Sequence, residues 1–203
     1  MPERVQKGQG TMRAFTFENA TKIYFGGGCV KEHLLEAVKP YGETVMLAYG
    51  GGSIKTNGIY QEVMDVLKLA GKQVIEFSGI MPNPTYSKVM EGKKVVQENQ
   101  VDLILAVGGG SVMDCSKAIS MAAATDKDVW EEYWIKKGEI DFEPVPVGVI
   151  VTVVGTGSEV NGEGVITHEE QKIKTSRNYP RCNPVFAMMD PKYTYTVSPL
   201  QTA

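Results

Sequence analysis

Residues 102–114 read Asp-Leu-Ile-Leu-Ala-Val-Gly-Gly-Gly-Ser-Val-Met-Asp, and this stretch decides the fold. The strand predicted at 102–107 is apolar on both faces after its first residue, which indicates burial on both sides. Three glycines and a serine follow, and a helix is predicted at 112–124. A buried strand that passes through a short glycine loop directly into a helix is the repeating unit of a parallel α/β sheet.

The same alternation continues on both sides of this stretch. It predicts further strands at 44–49, 74–77, 147–152 and 185–189, and further helices at 58–70 and about 85–98. Thr85 is suited to the N-cap of the second of these helices. The fold class is therefore α/β, a Rossmann-like parallel sheet with helices on both faces. Such sheets bind ligands at the carboxyl ends of their strands, where the glycine clusters of this chain lie.

Residues 155–175 break the alternation. A glycine-rich loop leads to a short strand at 164–167, a charged turn at 168–171 and a return strand, which together predict a β-hairpin. We expect residues 1–12 to form a disordered leader and residues 13–203 to form one dinucleotide-binding α/β domain.

Composition excludes several classes of protein. The chain has 203 residues and a formal net charge of −3, without the clustered Lys and Arg that nucleic-acid binding requires. No apolar run approaches the roughly 20 residues of a membrane span, and the first twelve residues lack the apolar core of a secretory signal. The three cysteines are far apart in sequence, so neither a disulfide framework nor a zinc ribbon is indicated, and a cytoplasmic location is expected.

The loop at 108–111 is the strongest local indication of a ligand. Gly109 and Gly110 allow close approach of a phosphate, the helix that follows offers free N–H groups, and Ser111 adds a hydroxyl donor. Asp114 is placed to orient a cofactor group. The alternative is a tight turn that simply requires glycine, although three glycines exceed that need. Neither the P-loop nor the Gly-x-Gly-x-x-Gly pattern is present.

A second loop, Gly50-Gly51-Gly52-Ser53-Ile54-Lys55, follows the strand at 44–49. A carboxylate here would bind the 2′-hydroxyl of an adenosine ribose and repel a 2′-phosphate, and the loop contains none. Ser53 and Lys55 favour a phosphate instead, so NADP is predicted, with NAD as the alternative cofactor. The competing interpretation is a loop that is merely permissive.

Hydroxyl groups follow the strand at 147–152. Thr152, Thr156 and Ser158 can bind a ribose, a nicotinamide amide or a pyrophosphate, whereas Glu159 suits a structural role. Lys174, on the return strand of the hairpin, is interpreted either as a ribose or phosphate ligand or as a solvated surface lysine. His33 and His168 lack the spacing of metal ligands, so no metal site is predicted from them. The tryptophans at 130 and 134 suggest internal packing or a subunit contact.

Five ordered motifs resemble the iron-containing (group III) alcohol dehydrogenases, particularly the branch of butanol dehydrogenases and NADPH-dependent aldehyde reductases. They are Gly-Gly-Gly-Ser at 50–53, Pro-Asn-Pro at 82–84, Gly-Gly-Gly-Ser-x-x-Asp at 108–114, Gly-Thr-Gly-Ser-Glu at 155–159 and Val-Phe-Ala-Met-Met-Asp-Pro at 185–191. The resemblance extends from about residue 15 to residue 203. Val153 and Val154 depart from it, being bulkier than the residues common there, and Glu163 stands where some relatives have Asn.

The resemblance implies a dinucleotide-binding domain like that of dehydroquinate synthase, followed by a helical domain. It implies that Gly51, Gly52 and Ser53 contact the adenosine ribose and its 2′-phosphate. The pyrophosphate and nicotinamide ribose would be bound by Gly109, Gly110, Ser111 and Asp114. The nicotinamide would be lined by Thr152, Thr156 and Ser158, a ribose by Lys174, and the adenine side by Tyr193.

The resemblance also implies a function: hydride transfer between NADP(H) and a primary alcohol or aldehyde, with a divalent Fe or Zn ion. The family's metal ligands, an Asp and three His, lie in the helical domain, and the first is expected just beyond Ala203. We therefore expect this chain to contain neither a metal site nor a catalytic residue, and to be inactive alone. A homodimer or larger homo-oligomer that binds neither nucleic acid nor a membrane is expected. The alternatives are a non-catalytic nucleotide-binding fragment and an enzyme resembling glycerol dehydrogenase or dehydroquinate synthase.

Overall fold

The computed structural model describes residues 18–198, so the predicted leader at 1–12 lies outside the described residues. The strands are β1 (Lys22–Phe25), β2 (Thr44–Tyr49), β3 (Gln73–Phe77), β4 (Leu103–Gly108), β5 (Val147–Val151), β6 (Glu163–His168), β7 (Ile173–Asn178) and β8 (Phe186–Met189). The α-helices are α1 (Cys29–Val38), α2 (Ser53–Thr56), α3 (Ile59–Leu69), α4 (Tyr86–Glu98) and α5 (Gly110–Ala123). A π-helix spans Trp130–Ile135.

Six strands form one sheet in the order β1-β8-β5-β4-β2-β3, and every neighbouring pair is parallel. The register places Tyr49 opposite Val107 and Gly108 opposite Val151. The carboxyl ends of β2, β4 and β5 therefore lie side by side. The hairpin predicted after β5 is also confirmed, since β6 and β7 pair antiparallel as a separate two-stranded sheet.

Helices cover both faces of the sheet, as the apolar strands predict. Side chains of β2 alternate between two cores: Met46 and Ala48 belong to the core beneath α4 and α5, whereas Val45 and Leu47 belong to the core beneath α1 and α3. All four are inaccessible to solvent. Burial on both faces is the reason why these strands are continuous apolar runs.

No bounds were predicted for four of these elements: β1, α1, the short helix α2 and the π-helix. The exposed edge strand β1 pairs only with β8 among the described strands, so its sequence carries no core pattern. The π-helix buries the predicted tryptophan pair, and each indole anchors the hairpin region. Trp130 Nε1 donates to Gln171 Oε1 at 2.8 Å, and Trp134 Nε1 donates to the Gly164 carbonyl at 3.2 Å. Within this chain the pair therefore serves internal packing.

Candidate functional site

Three loops meet at the carboxyl ends of β2, β4 and β5 because these strands are neighbours in the sheet. The loop at 50–52 follows β2, the glycines at 108–110 join β4 to α5, and residues 152–158 follow β5. Backbone hydrogen bonds fix the loops to adjacent strand ends, with Thr152 N donating to Gly108 O at 3.0 Å. The topology thus brings together the glycine and hydroxyl clusters that the sequence singled out.

The loop at 108–110 is shaped by close packing. A Cβ on Gly110 would lie 2.8 Å from the Thr156 side chain, and one on Gly109 would lie 3.0 Å from Val153 Cβ. The loop after β5 therefore rests directly on the start of α5. Helix α5 has 14 residues and no acidic residue in its first turn, so its N-terminal N–H groups and positive dipole end are available to an anion.

The loop at 50–52 is open. A Cβ on Gly51 or on Gly52 would meet no heavy atom within 4 Å, although Gly52 needs glycine for its φ of 101°. Packing therefore gives no reason for glycine at Gly51, and the space beside it is free for a ligand. This space is a cleft of about 290 Å³, lined by Tyr49, residues 50–52, Lys55, Ser78 and Gly79.

A carboxylate from outside the loop lies beside this cleft. Glu76, on β3, accepts hydrogen bonds from Tyr49 Oη at 2.5 Å, Tyr60 Oη at 2.7 Å and Lys55 Nζ at 2.9 Å. These donors, with Tyr49 first, hold the pKa of Glu76 at about 2. The contacts of Lys55 with Tyr49 and Glu76 in turn raise the pKa of Lys55. The expectation of a carboxylate-free adenosine site therefore holds for the loop itself but not for its surroundings.

Beneath the loop after β5 lies a buried polar network. Asp114 accepts from Ser158 Oγ at 2.5 Å and from Val165 N at 3.1 Å. Lys117 Nζ donates to Ser158 Oγ at 2.7 Å and to the carbonyls of Ser158 and Asn161 at 3.0 Å each. Burial raises the pKa of Asp114 and lowers the pKa of Lys117 to about 8. The network fixes the loop at 156–161 to α5.

Asp114 and Ser158 thus face each other in the interior, whereas both were predicted to face the cofactor. Their assignment as cofactor ligands stays a prediction, and their observed contacts support an indirect role in holding the loop. Sequence reasoning missed Lys117, although its i,i+3 spacing from Asp114 on a helix was a usable signal. It also missed Glu76, because nothing in the sequence places β3 beside β2.

The remaining predicted ligands are more peripheral. Lys174 Nζ donates to Asn83 Oδ1 at 2.5 Å, which ties the hairpin to the Pro-Asn-Pro segment. Tyr193 is buried in a 3₁₀ turn after β8 and lines a cleft of about 340 Å³ with residues 57–59, Glu62, Lys192 and Thr196. This cleft lies at the start of α3. Both assignments stay predictions.

The wall after β5 is apolar. Val153 and Val154 are 44% and 57% exposed, and Phe25 at the end of β1 is 73% exposed. With Met189 and neighbouring residues, Phe25 and Val154 line a cleft of about 220 Å³. Phe25 was not identified from the sequence, because β1 itself was not predicted.

The described residues offer no fit for a metal ion. Within residues 18–198, no group of three or more His, Cys, Asp or Glu side chains is arranged to bind one. His33 stacks on Tyr24 with ring centroids 5.0 Å apart, and His168 stacks on Tyr86 at 5.2 Å. In the same part of the chain, no helix is long and apolar enough to cross a bilayer.

Comparison with known proteins gives consistent matches. Residues 20–191 match the family model of iron-containing alcohol dehydrogenases. A Bacillus subtilis protein named "Probable NADH-dependent butanol dehydrogenase 1" is 45% identical over 186 residues, covering 92% of this chain and 47% of that protein. The NADPH-dependent aldehyde reductase of Escherichia coli is 39% identical over 193 residues, covering 95% of this chain and 49% of the reductase.

Solved structures agree. The crystal structure of NADH-dependent butanol dehydrogenase A from Thermotoga maritima superposes with a TM-score of 0.87 at 38% identity, covering 94% of this chain and 48% of that one. The chain spans about half the length of the curated relatives it matches. The resemblance inferred from the five motifs is thereby confirmed.

Proposed function

The chain belongs to the iron-containing alcohol dehydrogenase family, and on that premise we propose that it is the cofactor-binding part of an NADP-dependent enzyme interconverting a primary alcohol and its aldehyde. The observation that carries this proposal is the meeting of three glycine and hydroxyl loops at neighbouring strand ends. A dinucleotide is extended and needs contacts at more than one strand end. The six-stranded sheet offers them along one edge.

The residues divide into those that contact the cofactor and those that hold the loops. We assign Gly109, Gly110 and Ser111 to the pyrophosphate, because the start of α5 presents N–H groups and a positive dipole end. Thr152 and Thr156 line the nicotinamide side. Asp114 and Lys117 bond Ser158 and so hold the loop after β5 against α5. This contact positions Thr152 and Thr156 relative to the start of α5.

The preference for NADP(H) is supported by the loop at 50–55. Gly51 leaves free space beside the loop, Ser53 supplies a hydroxyl donor, and no carboxylate lies within the segment. NADH is the second candidate cofactor, and a specific observation favours it. Lys55, the one cation of this loop, already forms an ion pair with Glu76. Relatives named as NADH-dependent and as NADPH-dependent both match this chain.

The family's metal belongs to the proposal for the whole enzyme. A divalent ion would polarise the carbonyl as a Lewis acid, but residues 18–198 offer no ligand set for it. Substrate reduction is accordingly assigned to the full-length protein. Three free, buried cysteines support a reducing, cytoplasmic location.

Cofactor titration tests the proposal. We expect NADPH to bind more tightly than NADH, and the variant Gly51→Asp to reverse this order, because a carboxylate beside a 2′-phosphate is unfavourable. Failure of both cofactors to bind would refute the assignment of the site. Aldehyde-dependent oxidation of NADPH separates the enzyme from the alternative of a non-catalytic nucleotide-binding module, which would bind without turnover.

A further inference from the structure

We propose that Glu76 weakens the preference for NADP(H) by holding the ammonium of Lys55 and opposing a 2′-phosphate in the neighbouring cleft. The inference rests on the proposed binding of a dinucleotide and adds a specificity-determining residue outside the glycine loop. Glu76 lies on the adjacent edge strand, where the register pairs it with Leu47 of β2. The sequence of the loop alone therefore does not identify Glu76.

The geometry shows that Lys55 already has a carboxylate partner and two aromatic neighbours. Lys55 Nζ lies 2.9 Å from Glu76 Oε2, 4.5 Å from the centre of the Tyr60 ring and 5.2 Å from that of Tyr49. The two tyrosine hydroxyls bond the same carboxylate. One carboxylate therefore organises three side chains, and two of them, Tyr49 and Lys55, line the cleft beside Gly51.

Stability does not explain this arrangement. The side chains of Lys55 and Glu76 are 46% and 41% exposed, and ion pairs at such exposure contribute little to folding. The position of the pair at the edge of an open cleft therefore matters more for a ligand than for the core. A charged phosphate placed in the cleft would be attracted by Lys55 and repelled by Glu76, and the two effects largely cancel.

The variant Glu76→Gln tests this balance because it removes the negative charge and keeps a hydrogen-bond acceptor. We expect the Kd for NADPH to fall about 10-fold, since Lys55 becomes free for a charge-assisted contact. The Kd for NADH, which has no 2′-phosphate, should change less than about 2-fold. The gain for NADPH should shrink in about 1 M salt, where the screening length is roughly 3 Å.

Two further variants serve as controls. Glu76→Asp retains the charge and should retain the wild-type ratio of the two dissociation constants. Glu36→Gln on α1 breaks another exposed pair, that with Lys39 at the C-cap of α1, and should leave both constants unchanged. In the double variant Lys55→Met, Glu76→Gln, the gain in NADPH affinity should disappear.

The outcomes are distinguishable. An equal change for NADPH and NADH in Glu76→Gln, or a gain that survives the loss of Lys55, would overturn the role of Glu76 while leaving dinucleotide binding intact. If wild type and every variant bind neither cofactor, the proposed function fails and the inference fails with it. Unchanged thermal unfolding of Glu76→Gln would establish that any change in affinity comes from charge.

Discussion

At the scale of single residues, Lys117 shows how this fold uses a buried cation. Its side chain is 1% exposed, and three of its contacts are to the Ser158 carbonyl, the Ser158 hydroxyl and the Asn161 carbonyl. Its ammonium lies 3.8 Å from Asp114 Oδ1. Since a buried charge left without its partner is strongly unfavourable, Asp114 and Lys117 depend on each other.

We expect Lys117→Met to lower the free energy of unfolding by about 3–5 kcal/mol, because it leaves Asp114 buried without a counter-ion. Urea denaturation measures this change. Lys94→Met is the matched control: Lys94 pairs with Glu98 on the surface, 73% exposed, and its loss should cost less than about 0.5 kcal/mol. Equal costs for both variants would contradict the structural role of Lys117.

The same residue gives the unfolding energy a pH dependence of defined sign. Burial lowers the pKa of Lys117 from 10.5 to about 8 in the folded chain. Between these two values the unfolded chain holds a proton that the folded chain has lost, so stability rises with pH in this window. We expect the difference in unfolding free energy between wild type and Lys117→Met to increase from pH 8 to pH 10. A difference that falls over this range would show that the ammonium persists in the folded chain.

Two glycines of the site, Gly51 and Gly110, have different surroundings, and substitution distinguishes them. Gly110→Ala places a methyl group 2.8 Å from the Thr156 side chain, and overpacking of this kind costs about 1–3 kcal/mol. Gly51→Ala meets no atom within 4 Å, so its unfolding midpoint in urea should match wild type. If Gly51→Ala is destabilised as much as Gly110→Ala, the cleft beside Gly51 is not open.

At the scale of elements, the sequence predicts those strands and helices whose pattern of apolar residues is contained in the segment itself. The apolar strands of the central sheet and the helices α3, α4 and α5 carry their own periodicity, so their existence and type were predicted, with boundaries within two residues of those observed. Helix α5, for example, begins at Gly110 instead of at residue 112. The strand β1 and the π-helix lack such a signal, since one is a short exposed edge and the other is defined by its packing.

The start of α4 provides a test at this scale. Thr85 was predicted as its N-cap, and its hydroxyl accepts from Lys88 N at 3.2 Å. We expect Thr85→Ala to cost about 1 kcal/mol of unfolding free energy, because one N–H group of the first turn loses its partner. Thr85→Ser keeps the acceptor oxygen and should stay within about 0.5 kcal/mol of wild type. Urea unfolding that finds the two variants equally destabilised would assign the loss to the methyl group of Thr85 instead.

At the scale of the whole molecule, parallel topology explains why the site could be predicted in outline but not in detail. Glycine clusters at strand ends predict a ligand site wherever they fall, because all carboxyl ends share one edge. The local sequence of a strand does not specify which strands become its neighbours in the sheet. The contact of Glu76 with Lys55 and the packing of Thr156 on Gly110 both cross between segments that are distant in sequence.

Hydrophobic cores lie on both faces of the central sheet, and we expect ligand binding to be measurable as protection against heating. At a free NADPH concentration 100-fold above its Kd, binding adds about 2.7 kcal/mol to the free energy of unfolding. For a chain of this size, that corresponds to a rise of roughly 5–10 °C in Tm. Differential scanning calorimetry of the chain with increasing NADPH measures this rise in Tm.

Gly51→Asp should lose the protection by NADPH without losing its own stability, because the new carboxylate faces the open cleft and not the core. A Tm that is independent of cofactor in wild type would mean that the loops, although brought together, do not bind a dinucleotide.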